Sequence, residues 1–363
     1  VDPGLGQGAR PQSTGPGYKG SPSWSPGGDR IAFIVDGYVV DKPPEVRASR
    51  RWTTRDFVAE EAEWVSGDSL AVLGATPGSV PSSATEEGSR SFYSARARQD
   101  SFDLERLATG VLAISPISVG EERVILAMDD GPHESRLVLT RNSGEVERVY
   151  DSAIQGRVTA VSPSPDGRRL VLAVRPPGES ETSELRTFDL REGDHRKVTR
   201  LNGETEILGT PQWTDHGLYF VAGDQDLSEG AAAPYDLYRM PSATPGQSEP
   251  APGVGEDFVA ASVRVSPDGG RLAVIGRHNP KSPANLYLLD LDSESLRAVT
   301  TNEDMEIKTG PDDLAWSPDG RSVVIVARGV PFTEPEVHAG PAGDLLRAFY
   351  NLYEIPVEGS GSR

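Results

Sequence analysis

A short sentence, repeated with small changes, constrains this chain more than any other feature. "SPSWSPGGDRIAFIV" (21–35), "VSPSPDGRRLVLAV" (161–174), "VRVSPDGGRLAVIG" (263–276) and "LAWSPDGRSVVIVA" (314–327) each join an anchor residue, a Pro-Asp-Gly-like turn and an apolar run. The residue before each such turn gives seven anchors, Trp24, Trp64, Ile117, Pro163, Trp213, Val265 and Trp316, spaced by 40, 53, 46, 50, 52 and 51 residues. A repeat of this period is one small supersecondary module that buries its apolar surface only by stacking on its neighbours.

Each anchor is followed by a run such as IAFIV (31–35), LVLAV (170–174) or VVIVA (323–327). About five Val, Ile and Leu residues bounded by Gly, Pro and Asp read as a strand buried on both faces. The Pro-Asp-Gly turn joins it to the anchor strand as a hairpin, Pro presetting φ and Gly tolerating φ > 0. Asp166, Asp268 and Asp319 are therefore expected to bond local backbone and not to do chemistry. A third strand follows, for example "NLYLLDL" (285–291), and a fourth carries Arg three residues before Thr or a small polar residue, as in "RKVT" (196–199) and "RAVT" (297–300). The fourth is weak or missing in unit five.

Seven units of four antiparallel strands predict an all-β, seven-bladed β-propeller, in which radial repetition leaves only short edges. Unit seven ends at "NLYEIPV" (351–357) without a fourth strand, and Arg10 and Ser13 near the N-terminus carry the missing spacing, so the N-terminal segment is expected to close the ring as the outer strand of the last blade. The expected unit is one domain over 8–358, with 1–7 and 359–363 as flexible termini. A six-bladed ring is the alternative and requires unit two or three to be an insertion. The tryptophan anchors should pack between blades, whereas Trp52, on an outer strand, should matter less.

The "WSPDGRSVVIVA" hairpin, the "NLYLLDL" strand and the "RAVT" strand resemble the TolB-like, WD-repeat-like propeller family over about residues 8–358. The turns of units two, three and five depart from it, as "WVSGDS", "ISVGEE" and "WTDHG". The resemblance implies an architecture shared by a partner-binding envelope component and by the non-catalytic propeller of prolyl-oligopeptidase-type peptidases. Architecture alone does not imply function. The chain has no Gly-x-Ser-x-Gly elbow and no stretch left over for an α/β-hydrolase.

With 55 acidic against 36 basic residues, a formal charge of −19, the chain would repel phosphate backbones and anionic lipid, which argues against a nucleic-acid or membrane-surface partner. The absence of cysteine excludes disulfides and thiolate chemistry and leaves the compartment open. No apolar run approaches membrane-helix length. The start at Val1 is read as that of a trimmed or mature exported protein, extracellular or periplasmic, anchored through a segment not in this sequence.

His133, His195, His216, His278 and His338 fall in different units with no ligand spacing, so no catalytic or metal residues are assigned. "DQDLSEG" (224–230) begins like a calcium loop, but Glu229 stands where such a loop needs glycine and Tyr235 where it needs glutamate. No cofactor is expected, calcium being the one weak alternative.

Connections on one face of a regular scaffold are where binding usually resides. Those from second to third strand are long at 75–90, 223–235 and 328–349, the last ending in Phe349 and Tyr350. Those leading into each new blade carry Glu60, Glu61, Glu204, Glu206, Asp257, Asp304 and Asp312, the expected ligand-binding set. The sequence reading is thus a non-enzymatic, monomeric binding scaffold that engages a protein, peptide or small ligand on an acidic face. Its alternatives are the non-catalytic propeller of a larger hydrolase, or an enzyme with its chemistry at the channel mouth.

Overall fold

The computed structural model describes residues 9–13, 16–44, 49–53, 57–75, 90–98, 102–118, 122–131, 133–178, 183–200, 205–224, 235–241, 248–300, 305–329 and 348–357. They form seven antiparallel sheets whose first strands contact one another in cyclic order, which is a seven-bladed propeller. Blade one comprises Lys19–Trp24, Ile31–Val35, Tyr38–Lys42 and Arg50–Arg51, and blade six Val259–Val265, Arg271–Arg277, Asn285–Asp290 and Ser295–Ala298. Units two and three each make a full blade, which removes the six-bladed alternative. In blade five the weak fourth strand is the two-residue Glu249–Pro250.

The apolar runs sit where period and composition place them. Leu170 to Val174, Leu272 to Ile275 and Val323 to Ala327 are buried throughout, because each second strand is covered by the blades on both sides. In the turns, Ser164, Ser266 and Ser317 donate Oγ–H to Asp166, Asp268 and Asp319 at 2.5, 2.5 and 2.6 Å. Each aspartate also accepts a backbone N–H two residues on, from Arg168, Gly270 and Arg321. These bonds, the serine's first, hold all three carboxyls below their ordinary range. The aspartates are structural, as expected.

The ring closes through its N-terminus. Arg10–Pro11 pairs antiparallel with Asn351–Pro356, Arg10 opposite Glu354 and Pro11 opposite Tyr353. Gln12 N–H then donates to the Leu352 carbonyl at 2.7 Å, and Leu352 N–H to Ser13 Oγ at 2.9 Å. A buried polar seam joins blades seven and one at this point. Lys42 Nζ donates to Gln12 Oε1 at 2.8 Å, and Gln12 Nε2 to Glu354 Oε2 at 2.9 Å.

The anchors do pack between blades. The Trp64 indole N–H donates to the Ser23 carbonyl at 3.1 Å, and that of Trp316 to the Arg264 carbonyl at 3.0 Å, each reaching the preceding blade. Trp52 corrects the expectation placed on it. It is fully buried and meets Trp64 edge-on at 5.7 Å, because its ring, just past the outer strand of blade one, packs into the apolar core shared with blade two.

Candidate functional site: the channel mouth

The bulges of the inner strands lie in one layer. Opposite its second strand, every first strand carries extra residues at an equivalent position: 21–22 facing Phe33, Glu60, Leu112, Thr159, 209–211 facing Phe220, Ala261, and 308–313 facing Val326. A bulge re-aims the chain and its side chain locally, so seven in register form a ring of diverted backbone around the axis. In blade one the diversion puts Ser21 at φ 47°, the left-handed region that a side chain rarely adopts.

Glu60 is exposed and pairs with Arg90 at 3.2 Å, while a second Arg90 nitrogen donates to the carbonyl of Leu112 in the next blade. Glu206 pairs with Arg175 at 2.9 Å across the blade four to blade five boundary. Asp257 is exposed in the turn entering blade six, and Asp312 pairs with Arg264. Glu204 and Asp304 lie outside the described residues, as do "DQDLSEG" beyond Asp224, His338 and most of the three long connections. Much of the acidic face is therefore neutralised by arginine. Glu306 follows the same pattern, held by Arg328 and the Tyr350 hydroxyl, whose hydrogen bond keeps its carboxyl low.

Deeper in the channel is a group that the acidic-face reading only touched. Glu61, Glu63, Arg264 and Asp312 come from blades two, six and seven and interact across the axis. Glu63 accepts from Ser23 Oγ at 2.9 Å. Glu61 and Glu63 are surrounded by protein yet still touch solvent, the situation of a group lining a narrow channel. Loss of water pushes the Glu61 carboxyl well above its ordinary range, with help from its neighbours Glu63 and Asp312. Burial raises Glu63 as well, against the pull of Arg264.

Glu63 and Arg264 were legible in retrospect. Both immediately precede their anchors, as do Ser23 and Gln212, and a polar side chain at that position reaches a residue of an adjacent blade. The histidines do not converge on this group: among the described ones, His216 reaches Asp292 at 3.6 Å, His195 lies beside Arg186, and His133 and His278 are exposed. Among the described residues, no three His, Asp or Glu side chains are placed to hold a metal ion.

Neither a family model nor a curated protein matches the sequence. Solved structures do. Hydrazine synthase of Kuenenia stuttgartiensis aligns with TM-score 0.62 and 15% identity over 98% of this chain and 97% of its own. Puromycin hydrolase, as an S511A mutant complexed with PGG, aligns with TM-score 0.57 and 14% identity over 90% of this chain, and tricorn protease with 0.54 and 12% over 90%. A putative TolB from Agrobacterium tumefaciens is also matched, with TM-score 0.46 and 12% identity over 94% of this chain and 92% of its own. At these identities the shared property is the propeller fold. This chain spans 51% of puromycin hydrolase and 34% of tricorn protease. The matches correct the choice of a binding scaffold as the main reading, because the alternative of a propeller within a larger hydrolase fits them better.

Proposed function

We propose that this chain is the propeller component of a larger hydrolase of the peptidase type, one that presents peptide substrate through the channel mouth to catalytic groups outside the propeller. The observation that carries this reading is the match to puromycin hydrolase and tricorn protease, in each of which a propeller of this extent is only part of the chain. The mouth supplies what such a component needs. Glu60, Glu206 and Asp257 lie around its rim on a rigid scaffold, and partly exposed arginines partner two of them. Arginine and carboxylate side by side suit the charged ends of a peptide better than a simple cation.

The natural polypeptide, isolated from its source, tests the reading. Labelling by a fluorophosphonate probe, together with cleavage of short peptide amides, is the expected outcome. A natural polypeptide that neither takes the probe nor cleaves peptides refutes it. Binding of peptides to this chain alone should weaken with added salt, because exposed charges are screened within ~8 Å at physiological ionic strength. It should also be lost when Glu60, Glu206 and Asp257 are neutralised together.

A further inference from the structure

The bulge of blade seven is unlike the other six. Its inner strand breaks into Met305–Ile307 and Leu314–Trp316, both paired to Ser322–Gly329, and the six residues between them stand opposite Val326 alone. Both ends of that diverted segment, 308–313, bond Val326 of its own blade, Lys308 N–H donating to the Val326 carbonyl at 2.8 Å and Val326 N–H to the Asp313 carbonyl at 3.2 Å, and its middle reaches away from that blade. Pro311 reaches past blade six to blade five: a Cβ added to Gly209 would lie 2.8 Å from Pro311 Cβ and 3.2 Å from its carbonyl oxygen. Gly209 is held at φ 65° and is the one residue of its bulge able to accept so close an approach. Blade five diverts 209–211 toward the same point, its bulge being the next longest.

Three further contacts fasten the segment. Ser262 Oγ donates to the Pro311 carbonyl at 2.7 Å, Asp312 pairs with Arg264 of blade six, and Lys308 Nζ bridges Asp313 at 2.9 Å to the Lys19 carbonyl of blade one at 3.2 Å. The segment thus touches blades one, five and six from its base in blade seven. Glu61 and Glu63 face it from blade two.

We propose that residues 308–313 form a crossbar that closes the central channel to a threading polypeptide and makes the mouth a one-ended cup. Ligands then enter and leave by the acidic face alone, which selects chain ends and short peptides over strands drawn through the ring. The inference concerns the channel itself and stands whether or not the hydrolase reading does.

Because the chain contains no cysteine, paired single cysteines can measure the path. Asp257→Cys is exposed in the turn that precedes the bulge of blade six, on the mouth side of the bulge layer, and Pro267→Cys is exposed in a turn at the opposite end of the same inner strand. Bis-maleimides of graded length are applied to this pair in the otherwise unaltered chain, and to the same pair with 309–312 replaced by one glycine. The expected result is loss of every cross-link by linkers that only span the channel, with joining by linkers long enough to pass over the rim. The shortened variant should regain the short-linker product. Short-linker joining in the unaltered chain overturns the proposal, as does a folded shortened variant that still needs the long linker. Should the shortened variant fail to fold, the ladder on the unaltered chain decides alone.

Discussion

Lys42 holds the closing seam of the ring at a measurable energetic cost. Its side chain is buried between blades one and seven, and the loss of water lowers its ammonium to about 8 from an ordinary 10.5, only partly opposed by Glu354. That gap corresponds to roughly 3 kcal/mol, one pH unit being about 1.4 kcal/mol. The unfolded chain keeps the proton up to its higher value, so between pH 8 and 10.5 it binds more protons than the folded chain, and stability rises with pH across that window. Below pH 8 both states are protonated and the full cost stands. Lys42→Met removes the charge and leaves Gln12 Oε1 without the bond that Lys42 gave it, a loss of about 1–3 kcal/mol, so the two effects largely offset at pH 7. The diagnostic is the slope. Urea denaturation of parent and variant from pH 7 to 10.5 should show the parent gaining roughly 3 kcal/mol on the variant, while tyrosines and other shared groups cancel in the difference. Parallel curves would refute a buried, charged Lys42.

Three other outcomes follow from the same contacts. Trp316→Ala should cost about 3–5 kcal/mol as a buried aromatic truncation, read from urea denaturation, with Trp316→Phe recovering most of it and losing only the bond to Arg264. Trp52→Ala should cost about as much, contrary to its outer-strand position in the sequence, and a loss below about 1 kcal/mol would place it on the surface. Glu61, whose folded-state value lies above the unfolded one, favours the fold fully below about pH 4.5 and loses that favour as pH rises through the raised value. Glu61→Gln should therefore gain in melting temperature over the parent between pH 4 and 8, and a constant difference would mean that Glu61 ionises as if in water.

The blade is a local object, and so it was readable in the chain. The turn serines and aspartates, the five-residue apolar runs and the Arg10 to Ser13 spacing act over a few residues, and the strands of each hairpin are neighbours in sequence. Seven such units in series leave little freedom, because an apolar strand covered on both faces demands a blade on either side. The acidic residues entering each blade were legible as positions on one face. Their arginine partners were not, because Arg90, Arg175 and Arg264 each neutralise a carboxylate distant in sequence. Trp52 was misjudged for a related reason: strand order says which edge a residue is on, and only packing says whether the next blade covers it.

The sequence by itself determined the blade, its number and the closure of the ring, since repeat period, turn chemistry and strand burial are properties of short stretches. Only the tertiary structure decided what the centre of the ring is. The bulge layer, the burial of Glu61 and Glu63 around Arg264, and the reach of Pro311 to Gly209 depend on bringing blades one, two, five, six and seven to a common axis. Residues more than 100 positions apart meet there, and each bulge alone is only one or a few extra residues in a strand. Convergence at the axis turns them into a constriction.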